Sequence, residues 1–261
     1  MNKYLATIDA KTLLLCAICL IVTHLSFRFD IAYDLNITLF SIAVVFPLVF
    51  TIREAFKRRD SALKFLSLFK ASMASVHYCF EQCKKLNDQQ HAEVTAQLEK
   101  VSDLFFEALN SQDSVKTIET TGRHAEAAVN EIFHFIQRNN DAISSGLTLK
   151  IIRFVQDVNE SIENTISLKM HGTPISMRAY CLVFVFLFPF VFAPTIVYHL
   201  PDTPAAVSYG LAILHGFVLI SLYNVQTQME NPFDQVGLDD IKLEEYAFRP
   251  ITSPLPTTAP L

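Results

Sequence analysis

Ala179–Leu200 reads AYCLVFVFLFPFVFAPTIVYHL, an uninterrupted apolar stretch between Arg178 and Pro201. At ~1.5 Å per residue, a helix of this length crosses a ~30 Å hydrocarbon layer, and soluble domains seldom hold a charge-free run of ~20 residues. Three further runs repeat the pattern: Thr12–Phe27 (TLLLCAICLIVTHLSF), Leu35–Ile52 (LNITLFSIAVVFPLVFTI) and Ala205–Val225. Composition agrees, because 51% of the 261 residues are hydrophobic, 22 are Phe and only 18% are charged. The chain reads as an all-α membrane protein. Four transmembrane helices in two hairpins, solvated by membrane lipid, are expected, with a helical cytosolic segment between the hairpins. The first run is short and carries His24, which calls for tilted or buried packing. A cleaved leader is the rival reading for it, but no small-residue cleavage site follows, and His24 and Arg28 come directly.

Charge assigns the sides. Arg53–Arg178 holds 16 of the 21 Lys and Arg residues, and Lys3 and Lys11 precede the first run. The loop Arg28–Asp34 has one basic residue against Asp30 and Asp34, and Pro201–Pro204 has none. The excess of Lys and Arg places the N-terminus, the middle segment and the C-terminus on the same, cytoplasm-like side. The expected divisions are 1–52 (first hairpin), 53–178 (cytosolic helices), 179–226 (second hairpin) and 227–261 (an acidic clasp and a Pro-rich tail). The middle segment also carries 16 acidic residues, so it is no polybasic arm for nucleic acid. The net charge of −5 comes chiefly from six acidic residues between Glu230 and Glu245.

Little else in the chain points to chemistry. Cys16, Cys19, Cys79, Cys83 and Cys181 form no secreted-type disulfide framework. Cys79 and Cys83 share a helical face, but a structural zinc site needs four ligands and only His77 is near in sequence. With six glycines there is no phosphate-binding loop, and no nucleophile motif occurs, so the chain does not read as an enzyme. His24, His199 and His215 lie in or beside the runs, where a proton-relay role competes with hydrogen-bonded packing. Asn36-Ile37-Thr38 is a glycosylation sequon placed where the second run enters the membrane.

Between the hairpins, Phe56, Leu63, Leu66, Phe69, Met73, Val76 and Phe80 keep the spacing of a buried helical stripe. Nothing between Phe50 and Leu66 would stop a helix, so this one is expected to continue the second run. Asn87-Asp88 ends it. Val94, Leu98, Val101 and Phe105 predict a second helix, and Val129, Ile132 and Ile136 a third. After the Asn139-Asn140-Asp141 turn signal, Leu147, Ile151, Val155, Val158 and Ile162 predict a fourth. No strand pattern appears. Arg249–Leu261, rich in Pro, is expected to be an extended tail.

Three blocks together resemble the bestrophin family of anion channels. The first is Ile42-Ala-Val-Val-Phe46-Pro47-Leu-Val-Phe50, followed by Arg53 and Lys57-Arg58-Arg59. The family's Trp pair is absent, and Val49 stands where the family has Gly. The second is Thr173-Pro174-Ile-Ser-Met-Arg178-Ala-Tyr180, leading into the third run. The third is Gln228-Met-Glu-Asn231-Pro232-Phe233-Asp234 with Asp239-Asp240, similar to the Asn-Pro-Phe plus acidic run after the last bestrophin span.

The resemblance implies a homopentamer that passes chloride or a similar monovalent anion through one central pore. The pore neck would be Ile42, Phe46 and Phe50 on the second run, and Leu147 would form a cytosolic aperture. Stacked apolar rings can gate by dewetting, and phenyl edges carry positive charge that suits a weakly hydrated anion. The same resemblance makes calcium a candidate ligand of Gln228, Asn231, Asp234, Asp239 and Asp240, although Val236-Gly237-Leu238 interrupts the acidic run. The competing reading of this block is a helix end with solvated acids; the block is expected to act as a structural clasp even without calcium. For the whole chain, the competing reading is a non-conducting structural or assembly subunit of a larger membrane complex.

Overall fold

The structure is a computed structural model and describes residues 8–111, 115–235 and 240–250. It contains α1 (Ala10–Arg28), α2 (Ile37–Glu81), α3 (Asp88–Asn110), α4 (Val115–Arg138), α5 (Ser145–Met170), α6 (Ile175–His199) and α7 (Ala205–Met229). A 3₁₀ turn at Leu243–Glu245 follows. Among the described residues, four helices are long and apolar enough to cross a membrane, as expected. Asp239 of the candidate calcium set, and the tail from Ile251 onward, lie outside the described residues.

The chain forms two compact units: 1–59 with 172–232 and 236–240, and 60–171 with 233–235 and 241–261. The first unit holds α1, the start of α2, α6 and α7. Asp9 opens α1 with a capping box, its carboxylate accepting from the Thr12 amide while the Thr12 hydroxyl returns to the Asp9 amide. Asn224 of α7 donates to both the Asp9 carboxylate (3.0 Å) and the Thr12 hydroxyl (3.1 Å). Helices α1 and α7 then approach closely at Gly216, where a Cβ would strike the buried Cys19 sulfur. An apolar cluster in this unit includes Leu15, Val44, Leu48, Cys181, Val185, Phe188 and Ile220.

The second unit is a helical bundle. Its α2 segment buries Leu66, Phe69, Met73, Val76 and Phe80 against Leu98, Val101 and Phe105 of α3, Val129 and Ile132 of α4, and Ile151, Val155 and Val158 of α5. Phe69 lies 4.6 Å from Phe105, and Phe80 meets Phe135 edge-on at 5.6 Å, geometries that add to plain area burial. Asn87 and Gln90 form the capping box that starts α3.

One member of the expected stripe is misplaced. Phe56 is 58% exposed, whereas Ala55 and Ala62 are fully buried. The stripe continues N-terminally from Leu66 through these alanines, one position (~100°) away from Phe56. A small residue gives little hydrophobic signal, so the large neighbour drew the reading.

Candidate functional site

Helix α2 has two opposed faces within the first unit. Val44, Leu48, Thr51 and Ala55 are buried, whereas Ile42, Phe46 and Phe50 are 50%, 57% and 49% exposed on the single chain. Spacings of four keep the three exposed side chains on one side, about 200° from the buried row. The Phe46 and Phe50 rings lie 5.8 Å apart and tilted, so they form one continuous aromatic surface. Leu147, in the second unit, is half-buried and packs against that unit's core.

Proline shapes this helix and finds compensation. Pro47 removes the N–H that would bond the Ala43 carbonyl, and the Tyr180 hydroxyl donates to that carbonyl instead at 3.3 Å. The same device recurs in α6. Pro194 leaves the Phe190 carbonyl without its helical donor, and the Tyr33 hydroxyl supplies one at 2.7 Å. Inside a bilayer an orphaned carbonyl is costly, so each tyrosine makes its proline tolerable. Tyr180→Phe is expected to lower stability by about 1–2 kcal/mol and to leave the fold intact. Thermal unfolding in detergent checks it, and an unchanged melting temperature would remove the compensation role.

The three sequence blocks meet at Glu230, which follows the end of α7. Its carboxylate pairs with the Arg58 guanidinium at 2.8 Å, accepts from the Thr173 amide at 2.5 Å and hydroxyl at 2.8 Å, and accepts from the Gln226 amide at 3.0 Å. Arg58 also donates to the Glu230 carbonyl at 3.3 Å, answering one of the unpaired carbonyls at the helix end. Both charged side chains are nearly buried, 12% and 10% exposed. Gly172 completes the site, since a Cβ there would lie 2.9 Å from the Glu230 oxygen.

Burial pushes the Glu230 carboxyl up, but the Thr173 amide and hydroxyl and the Arg58 charge more than offset it, leaving it below its ordinary value of 4.5. A carboxylate depressed on folding adds stability that is complete above the ordinary value and is lost as pH falls through the depressed one. Acidification below about pH 4.5 is therefore expected to destabilise the protein, and Glu230→Gln should flatten that acid limb. Melting curves across this range decide it, and an equally steep limb in the variant would exclude Glu230 as its source.

Sequence reasoning passed over Glu230 and placed the weight on its neighbours. Phe233 is fully buried in the second unit's core. In that same unit, Asp234 acts electrostatically on Lys169, whose ammonium burial pushes down to about 8 while Asp234 pulls it up. Among the described residues, no three His, Cys, Asp or Glu side chains gather to hold a metal ion.

The histidines pack through hydrogen bonds or ion pairs. His24 contacts the Tyr209 hydroxyl at 3.2 Å, His199 pairs with Asp34 at 3.2 Å, and His215 sits 3.0 Å from the Leu211 carbonyl with its ring against Phe192. Asn36 accepts from the Leu39 amide at the start of α2.

No family model and no curated protein matches the chain. Solved structures do. A tryptophan-to-alanine variant of a bacterial bestrophin homologue from Klebsiella pneumoniae superposes with a TM-score of 0.73 at 15% identity, covering 90% of this chain and 91% of that one. An isoleucine-to-threonine variant of the Klebsiella pneumoniae homologue gives 0.72 at 12% identity, covering 95% and 97%. A structure described as a membrane protein gives 0.75 at 12% identity, covering 91% and 94%. Together with the four membrane-length helices and the long α2, these superpositions show that the chain has the bestrophin fold.

Proposed function

We propose that the protein is a bestrophin-type anion channel subunit that assembles as a homopentamer, with Ile42, Phe46 and Phe50 of each copy lining a shared neck. The exposed face of α2 is the observation that carries this reading. Three large apolar side chains stand clear of the unit's own core, and the fold they belong to is that of bestrophins. Five such faces around an axis would stack apolar rings that exclude water when narrow, while phenyl edges compensate a weakly hydrated anion. Leu147 would serve as a second constriction on the cytosolic side. Channel activity, rather than catalysis, is what this arrangement supports.

Chloride flux from proteoliposomes tests the reading. Flux abolished by a bulky group attached at position 46 supports it. Tight vesicles containing folded protein would favour a structural subunit.

The proposed topology puts residues 53–178 and the C-terminal segment on one side of the membrane. Protease added to sealed, oriented vesicles should cut both from the same face. Cleavage of the two from opposite faces would end the four-span arrangement.

A further inference from the structure

The end of α3 is a cradle of oxygen atoms, and a lysine fills it. Lys169, in the last turn of α5, places its Nζ 3.1 Å from the Ala108 carbonyl, 2.5 Å from that of Leu109 and 2.6 Å from that of Ser111. Three backbone dipoles at a helix C-terminus converge there on one positive charge. All four residues belong to the second unit, as does Asp234, the charged group that acts on Lys169.

The inventory is that of a cation site. Three carbonyls and a nearby carboxylate are the oxygen donors a hard cation takes. An ammonium with three N–H donors satisfies the same three oxygens and needs no loading from solution. The side chain is half-buried, so its charge is held rather than trailing in solvent.

We propose that Lys169 is a tethered cation: its ammonium occupies the oxygen cradle at the end of α3, in the place a small free cation would otherwise take. A divalent ion brought near Asp234 would meet that resident positive charge. Removal of the lysine leaves oxygens that a small free cation can enter.

The test uses the purified full chain and its melting temperature. Wild type is expected to melt alike in chelator and in millimolar calcium. Lys169→Ala should melt lower, and methylammonium, which restores the N–H donors, should recover part of the loss. Tetramethylammonium, which has none, should not. Calcium or potassium stabilising the alanine variant but not wild type also supports the proposal.

Calcium stabilisation of the wild type would overturn it, and that measurement stands even if the variant fails to fold. A folded Lys169→Ala that no small cation rescues would overturn it too. None of these readouts depends on conduction, so a silent channel leaves the result unaffected.

Discussion

Replacing Ile42, Phe46 and Phe50 together with Ala is expected to raise conductance severalfold and to weaken closure, while the protein stays folded. The three side chains already lie outside the chain's own core, so their loss opens no internal cavity. Each truncation is repeated once per subunit, and a wider, less apolar constriction no longer dewets. If the same residues were buried packing against a partner, the triple change would instead cost several kcal/mol per subunit, as large-to-small core substitutions do. Planar-bilayer recording of wild type and variant separates the two. A folded, silent variant beside a silent wild type would leave the structural-subunit reading standing.

Arg58→Met is expected to be the most damaging single substitution outside the hydrophobic cores. It strands the Glu230 carboxylate in a nearly dry site, and breaking a buried pair from one side costs about 3–5 kcal/mol. Glu230→Gln should cost less, because an amide oxygen can still accept from Thr173. The double variant should be less unstable than the sum of the two, since the stranded charge is gone. Denaturation of the four proteins in detergent gives the coupling. Additive losses would show that the pair contributes little despite its geometry.

The spans, the continuous α2 and the four helices between the hairpins were legible because apolar periodicity and local caps are short-range signals. Asn87 with Gln90 and the Asn139 turn lie within a few residues of what they organise. The clasp was half legible. Thr173-Pro174 and Asn231-Pro232 stood out as blocks, but the bond that joins them runs from Glu230 to Arg58 and Thr173, partners 172 and 57 positions away. Nothing in the sequence sets Lys169 apart from other basic residues, and its carbonyl partners carry no sequence signal. Tyr180 and Tyr33 were equally silent, since only the placement of Pro47 and Pro194 against them gives their hydroxyls a task. Ile42, Phe46 and Phe50 are proposed as the neck from their position within a family pattern, and the structure adds their exposure on the single chain.

Whether this chain works as a ring of identical subunits is measured directly by its stoichiometry in a mild detergent, read by native mass spectrometry. A single species of five copies is expected. A monomer, or one copy bound to other proteins, would contradict it.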